Sequence, residues 1–209
     1  MNFKQALEAL RKEEKRKFEQ SVDLIINLRG MNTKKDQVNI ITNLPNKIKE
    51  KKVCAFLTEK SKIIPTITEP EFAKYKDKKL LKNLVKQYDY FIAVGKLMPK
   101  VATTFGKVLG PVGKMPSPQL GIIMQENESA IKETLEKIST SLKIRLKEAS
   151  FKITVGKESM PDEKILENIQ EVYKAIENAL PKKKENVKNV VLKLTMSKPI
   201  KIQEAKAAQ

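Results

Sequence analysis

The sequence predicts an α/β and α+β protein of two domains, with a three-layer, Rossmann-like α/β domain inserted into a strand-rich α+β domain that both chain ends form. Two observations support this prediction. Segments at both ends alternate apolar and polar residues with the period of two that strands require. Segments in the middle alternate short apolar runs with amphipathic helical patterns. We place the first domain at residues 1–45 and 151–209, and the second at residues 46–150.

The N-terminal part predicts one helix and two strands. Phe3, Leu7 and Leu10 fall at helical spacing, so about the first fifteen residues are expected to form an amphipathic helix. A strand follows over residues 22–28, and a second is expected over residues 36–44. In the first strand an aliphatic row faces the core, Val22, Leu24, Ile26 and Leu28, while the outward row is Ser21, Asp23, Ile25 and Asn27.

The middle part predicts alternating strands and helices. Short apolar runs at residues 53–57 and 90–95 indicate buried strands. Helices are expected at residues 78–86, 98–107 and 127–142. The last of these helices has an apolar face at helical spacing, made by Ile131, Leu135, Ile138 and Leu142.

The C-terminal part predicts a strand, a long helix and two further strands. The first strand covers residues 151–155, and Pro161 takes the favoured first position of the helix. The later strands cover residues 188–196 and 200–202. The helix has one buried stripe, which consists of Ile165, Ile169, Val172, Ile176 and Leu180.

The composition indicates a polyanionic partner. The net charge is +17, from 42 basic and 25 acidic residues. Cationic surfaces of this kind bind nucleic acid because phosphate contacts release counterions. Only four of the basic residues are arginines, and lysines act as point charges rather than bidentate forks, so neutralisation of the phosphate backbone is favoured over base readout by arginine.

Several classes of site are excluded. The chain has no histidine, which removes imidazole catalysis and histidine metal ligands. Cys54 is the only cysteine, so an intrachain disulfide cannot form, and its apolar neighbours predict a buried thiol. No pair of carboxylates suited to catalysis and no nucleophile–base pair is evident, and no cofactor is expected. The charged N-terminus lacks the apolar core of a signal peptide, which predicts a cytoplasmic protein.

Residues 106–118 hold three of the seven glycines and three of the ten prolines, which predicts one tightly shaped loop. A P-loop is excluded because Val108 stands where its first glycine belongs and Met115 follows Lys114. The segment resembles the signature of the ribosomal protein L-one family, although Val112 and Ser117 replace its usual Arg and Asn. The matching positions are Gly106, Gly110, Pro111, Gly113, Met115 and Pro116.

Two other segments resemble the RNA-facing strands of that family. The end of the 188–196 strand matches its second signature, with Ser197 in place of a glycine and with Lys198 as in the archaeal branch. The other strand matches at residues 17–23. The resemblance implies RNA contacts by Phe18, Ser21, Asp23, Lys152, Gly156, Lys157, Thr195, Met196, Ser197 and Lys198.

The resemblance also implies a function. It covers the chain from Lys17 to about Ile202 and is closest to the archaeal type. We therefore expect a ribosome-associated protein, a monomer when free, that binds a mobile stalk of large-subunit rRNA and assists release of deacylated tRNA from the exit site. Binding and repression of its own mRNA are implied as well.

Two other classes stay open at this stage. The inserted domain could belong to a cytosolic enzyme with an anionic substrate. The charge could also serve a general nucleic-acid coating protein, which would show little preference for folded RNA over single strands.

Overall fold

A computed structural model of the protein describes residues 2–13, 16–30, 38–146 and 148–202. Contacts between Cα atoms divide the chain into two compact units. The first unit comprises Met1–Ile48 and Thr140–Gln209, and the second comprises Lys49–Ser139.

The described elements follow one another in a mixed order. The helices are α1 (Phe3–Arg11), α2 (Lys78–Gln87), α3 (Met98–Val112), α4 (Glu128–Thr140) and α5 (Asp162–Ala179). Short 3-10 helices lie at Glu69–Lys76, Gly95–Leu97 and Lys183–Asn186. The strands are β1 (Ser21–Leu28), β2 (Val38–Asn43), β3 (Val53–Leu57), β4 (Thr66–Thr68), β5 (Tyr90–Val94), β6 (Ile122–Ile123), β7 (Ser141–Leu146), β8 (Ser150–Lys157), β9 (Val187–Leu194) and β10 (Ile200–Ile202).

The first unit is built on an antiparallel sheet in the order β10-β9-β1-β8. The aliphatic row of β1 is buried as expected, with Leu24 and Ile26 fully enclosed. It shares a core with α1 and with the α5 stripe, whose five apolar residues are all buried. Pro161 is the residue before the first turn of α5, one position earlier than predicted.

The second unit has a parallel sheet in the order β4-β3-β5-β6. One face contributes Cys54, Phe56 and Phe91 to a core shared with α2 and α3. The other face contributes Val53, Ala55 and Ile92 to a core shared with α4. Helices therefore cover both faces, the three-layer arrangement expected from the alternating pattern. The strands β4 and β6 are too short to give a pattern of alternation and were not expected.

The strand β7 corrects the sequence prediction. Leu142 was expected on the apolar face of a helix, but α4 ends at Thr140 and Leu142 belongs to β7. Ile144 and Leu146 continue its apolar row with a period of two and pack into the core of the first unit. β7 pairs with β2, whose expected first two residues lie outside the described ranges. The unit boundaries at residues 48/49 and 139/140 therefore differ from the predicted 45/46 and 150/151.

The glycine-rich segment is mostly helical rather than a loop. α3 continues to Val112 and contains Pro111 in its last turn, so Gly106 and Gly110 have helical backbone. Gly113 ends the helix with φ of 80°, in the left-handed conformation that glycine favours. The remaining part of the segment makes the actual turn, over residues 113–118.

The turn after α3 has a structural role. Lys114 Nζ donates to the carbonyls of Val85 and Tyr88 at 2.7 Å each, which satisfies the carboxyl end of α2. Met115 packs against the core of the second unit. Gly121 follows with φ of 122°, and a Cβ there would lie 2.9 Å from the Phe91 carbonyl oxygen. These contacts explain the glycine and lysine positions without any ligand.

Candidate nucleic-acid interface

Several of the residues expected to contact RNA come together at one end of the antiparallel sheet, where β1 begins and β8 and β9 end. Ser21 is paired with Lys157 of β8, and the neighbouring Val22 is paired with Leu194 of β9. Thr195 follows β9, and its Oγ1 accepts a hydrogen bond from the Ser21 amide at 3.0 Å. The hydroxyl therefore joins the two strand ends.

Two large apolar side chains are exposed at this end. Met196 is 63% exposed and Phe18 is 52% exposed. Phe18 therefore lies outside the core of the first unit. In the described part of the first unit, these are the only large apolar side chains classed as exposed. A thioether and an aromatic ring in water are suited to packing on a ribose or a base.

Gln20 positions Met196. Its side chain is buried, and its Oε1 accepts a hydrogen bond from the Met196 amide at 3.1 Å. Gln20 was not among the residues predicted from the sequence. The signal was available, because Gln20 precedes Val22 and Leu24 in the inward row of β1, where an apolar residue is expected.

Ser197 forms a tight turn after β9. Its Oγ accepts from the Leu194 amide at 2.8 Å, and its own amide donates to the Leu194 carbonyl at 3.2 Å. Among the described non-glycine residues only Lys183 has a positive φ, so Ser197 is not in the left-handed region. Replacement of the family glycine by serine therefore introduces no backbone strain here.

Asp23 lies in the outward row of β1 but is only 1% exposed. It was expected to project from this face. Instead Lys152 Nζ lies 2.7 Å from its Oδ2, and the Thr154 hydroxyl donates to its Oδ1 at 2.8 Å. Both partners come from β8 and cover the carboxylate. Any contact between Asp23 and a ligand requires Lys152, whose side chain is 53% exposed, to move aside.

Lys157 is also paired with a carboxylate. Its Nζ lies 2.6 Å from Glu19 Oε2, and the Ser159 hydroxyl donates to the other carboxylate oxygen. The hydrogen bonds from Lys157 and then Ser159 lower the pKa of Glu19. Glu19 therefore stays ionised, and an RNA phosphate must compete with it for Lys157.

Gly156 lies inside the fold rather than at the interface. It is buried in β8, and a Cβ there would lie 2.9 Å from Cγ1 of Ile165 on α5. Glycine permits close packing between the helix and the sheet. This observation gives Gly156 a structural role that is independent of RNA.

The site is cationic and open. Arg16 and Lys198 are exposed and line a cavity of about 510 Å³, in which Glu13 is the single acidic lining residue. Within the described ranges, no three cysteine or carboxylate side chains cluster as a metal site would require. No described helix combines the length and apolarity needed to cross a membrane. The arrangement is suited to binding a polyanion that presents bases or riboses beside its phosphates.

Comparisons with known proteins give the family. The model of the ribosomal protein L1p/L10e family matches residues 10–198. The chain is 32% identical to the large ribosomal subunit protein uL1 of Pyrobaculum calidifontis, over 95% of this chain and 91% of the relative. It is 32% identical to the protein of the same name from Archaeoglobus fulgidus, over 93% and 94%. The Nanoarchaeum equitans protein is 31% identical, over 92% and 95%.

These matches cover both units and all the strands that form the cationic sheet end. They include the glycine-rich segment and the turn at Thr195 and Met196. The chain belongs to the ribosomal protein L1p/L10e family.

Proposed function

We propose that the protein is a component of the large ribosomal subunit and binds a folded stalk of rRNA through its first unit. Its relatives bear the name of a large-subunit protein. The proposed function is binding, with no catalysis and no cofactor. It places the protein on cytoplasmic ribosomes, and as a monomer when it is free of them.

The observation that carries this proposal is the exposure of Met196 on a backbone held in place. Gln20 fixes the Met196 amide, and Thr195 joins the neighbouring strand end. An exposed apolar side chain on a fixed backbone can pack on an RNA surface with a smaller loss of backbone entropy than one on a mobile loop. A coating protein that binds by charge alone would not require an exposed apolar side chain at a fixed position.

Family membership supports a proposal for the finer steps of this function. We propose that the first unit grips the rRNA stalk while the second unit moves with it as deacylated tRNA leaves the exit site. We also propose that the same sheet end binds a matching fold in the protein's own mRNA and represses translation. Both roles require one surface that recognises folded RNA rather than single strands.

Substitution of Met196 by alanine tests the proposal. Met196→Ala should weaken binding of the stalk RNA by about 1–3 kcal/mol and hardly change the affinity for random RNA, because it removes a shape-dependent contact without altering charge. Met124→Ala is the matched control, since Met124 is 84% exposed in the second unit. It should leave both affinities unchanged.

Lys198→Ala separates charge from shape at the same place. It should lower the affinity for both RNAs and reduce the salt dependence by about one counterion. Thr195→Ala should weaken stalk-RNA binding selectively, as Met196→Ala does. It should also lower the stability of the fold, because the Ser21 amide loses its hydrogen-bond acceptor. Equal losses on both RNAs for all three variants would favour the coating-protein function instead.

A further inference from the structure

A second cationic cluster lies at the end of the first sheet that is opposite to residues 195–198. β1 ends at Leu28, and Arg29 follows it directly. Three consecutive lysines, residues 182–184, precede β9, and we call them the lysine turn. Leu28 is paired with Val187 of β9, so Arg29 and the lysine turn lie at the same end of the sheet. All four basic side chains are exposed.

One buried amide holds Arg29 and the lysine turn together. Asn186 is 2% exposed, and its Oδ1 accepts a hydrogen bond from the Lys182 amide at 2.7 Å. Its Nδ2 donates to the Arg29 carbonyl at 3.0 Å, and the Arg29 amide donates to the Asn186 carbonyl at 2.7 Å. Arg29 and Asn186 are 157 residues apart in sequence. A buried side chain with this many hydrogen bonds fixes the backbone of both segments.

The Arg29 side chain is oriented but keeps free donors. Its Nε donates to the Glu185 carbonyl at 2.9 Å, whereas its two terminal nitrogens donate to none of the described residues. Neither Arg29 nor any lysine of the turn forms an ion pair within the described part of the chain, and the neighbouring Glu185 carboxylate forms none either. The positive charges of the cluster are therefore available to a partner.

Lys183 has a backbone conformation that lysine disfavours. Its φ is 46°, and among the described residues it is the one non-glycine with a positive φ. In this region the Cβ of an L residue crowds its own backbone, whereas glycine adopts the conformation without strain. A strained residue on the surface indicates that its side chain serves something other than the fold. At Lys183 that side chain contributes a positive charge.

We propose that Arg29 and the lysine turn form a second contact with the phosphate backbone of RNA. The proposal rests on the proposed function, because we assign this contact to the same stalk RNA. Phosphate is favoured over an acidic protein segment, since protein interfaces are built around apolar or aromatic anchors. The five large apolar side chains exposed within the described ranges all lie elsewhere. A guanidinium with free donors and three lysines match a row of phosphates.

The new contact is remote from Met196. β1 has eight residues that rise about 3.3 Å each, so its two ends are about 25 Å apart. An RNA must be folded and long enough to reach both ends at once. Phosphate contacts carry no sequence information but fix the orientation of the RNA. The second contact would therefore align the stalk along the sheet, while the first recognises its shape.

Salt-dependent binding of the stalk segment of large-subunit rRNA, transcribed in vitro, tests the contact. Arg29→Gln, Lys182→Gln and Lys184→Gln should each lower the affinity about three- to tenfold and reduce the slope of log affinity against log salt by about one. Lys174→Gln is the matched control, since Lys174 lies on α5 with its side chain 66% exposed. It should change neither quantity. Slopes that match this control in all three variants would overturn the proposal.

Lys183→Gly separates the loss of charge from damage to the fold. It should raise the Tm by about 2–4 °C, because the strain at φ of 46° is removed. It should nevertheless lower the RNA affinity and the salt slope as the glutamine variants do. Lys183→Gln should lose the same affinity without the rise in Tm. A higher Tm with unchanged RNA affinity would show that the charge of Lys183 contacts no phosphate.

Shortened stalk RNAs test whether the contact is remote. In the shortest fragment whose binding Met196→Ala still weakens, the lysine-turn variants should bind as well as the parent, because the fragment no longer reaches them. A full loss of affinity by the lysine-turn variants on that fragment would refute a second, distant contact. Circular dichroism verifies that each variant is folded.

The outcomes separate this proposal from the proposed function. If Met196→Ala discriminates stalk from random RNA while the lysine-turn variants keep the parent slope, the proposed function stands and the second contact is refuted. If the stalk RNA is bound no better than random RNA, the proposed function fails. The slopes of the lysine-turn variants on long random RNA then still decide whether this cluster contacts phosphate.

Discussion

Gly156→Ala distinguishes a packing role of this glycine from the RNA-binding role that the family resemblance implies. The new Cβ would lie 2.9 Å from Ile165 Cγ1 and 3.5 Å from two further carbons of Ile165. Ordinary carbon contacts begin at about 3.5 Å, so the helix and the strand must separate by roughly half an ångström. Ile165 is fully buried, so it cannot turn out into solvent to make room.

The expected change in the free energy of unfolding of Gly156→Ala is the sum of two opposed effects. Overpacking a core costs about 1–3 kcal/mol. Removing a glycine from a strand restores about 0.5–1 kcal/mol, because the unfolded chain loses freedom. We therefore expect the free energy of unfolding to fall by about 1–2 kcal/mol, which corresponds to a fall in Tm of roughly 2–8 °C for a chain of this size.

The assay is urea unfolding followed by circular dichroism, with stalk-RNA affinity measured on the folded variant. The RNA affinity of Gly156→Ala should stay within about twofold of the parent, because the added methyl points into the core. In the double variant with Ile165→Ala, the new methyl fills part of the cavity. The combined loss should then be smaller than the sum of the single losses by about 1 kcal/mol. Unchanged stability together with a tenfold loss of RNA affinity would refute this reasoning.

Three further predictions concern substitutions in the second unit and its removal. Burial raises the pKa of Cys54 to about 12, so at pH 8 the thiol should resist alkylation until urea unfolds the protein, as mass spectrometry would show. In a thermal unfolding scan, Gly121→Ala should destabilise the protein by about 2 kcal/mol or more, since the φ of Gly121 is 122° and the new Cβ would approach the Phe91 carbonyl oxygen. In the same scan Gly106→Ala should stabilise the protein by up to about 1 kcal/mol, because Gly106 is helical and a Cβ there would meet no other atom within 4 Å. Deleting residues 49–139 and closing the gap with a short glycine linker should leave a folded RNA-binding unit, because β2 and β7 already hold the two ends together; an unfolded product would contradict the inserted-domain interpretation.

The sequence pattern predicted correctly those elements whose apolar residues recur with one clear period. The alternation from Val22 to Leu28 gave the correct buried row of β1, and the spacing from Ile165 to Leu180 gave the correct stripe of α5. Leu142 shows where such patterns fail. It lies four residues after Ile138, as a helical stripe requires, and two before Ile144, as a strand requires. Pairing with β2, a strand about a hundred residues earlier, decides between them.

The RNA contacts of the candidate site stay a prediction, but the structure shows how its residues are paired. The strand ends near Ser21 and Thr195 meet. The pairing of Asp23 with Lys152 could not be predicted, because strand register brings together residues far apart in sequence. The same holds for Lys157 and Glu19. In the glycine-rich segment, composition indicated a loop, but helix packing in the second unit overrides the weak helical propensity of Gly106 and Gly110.

The order of strands in the first sheet has a consequence for synthesis of the protein. The central strand β1 is made early, yet both of its neighbours, β8 and β9, come from beyond residue 149. The second unit is continuous in sequence and can fold as soon as residue 139 has left the ribosome, whereas β1 must wait unpaired. A nascent chain therefore lacks part of the proposed RNA-binding surface until Met196 and Lys198 have emerged. The proposed repression of its own messenger would then respond to finished molecules only, and not to the number of chains still being made.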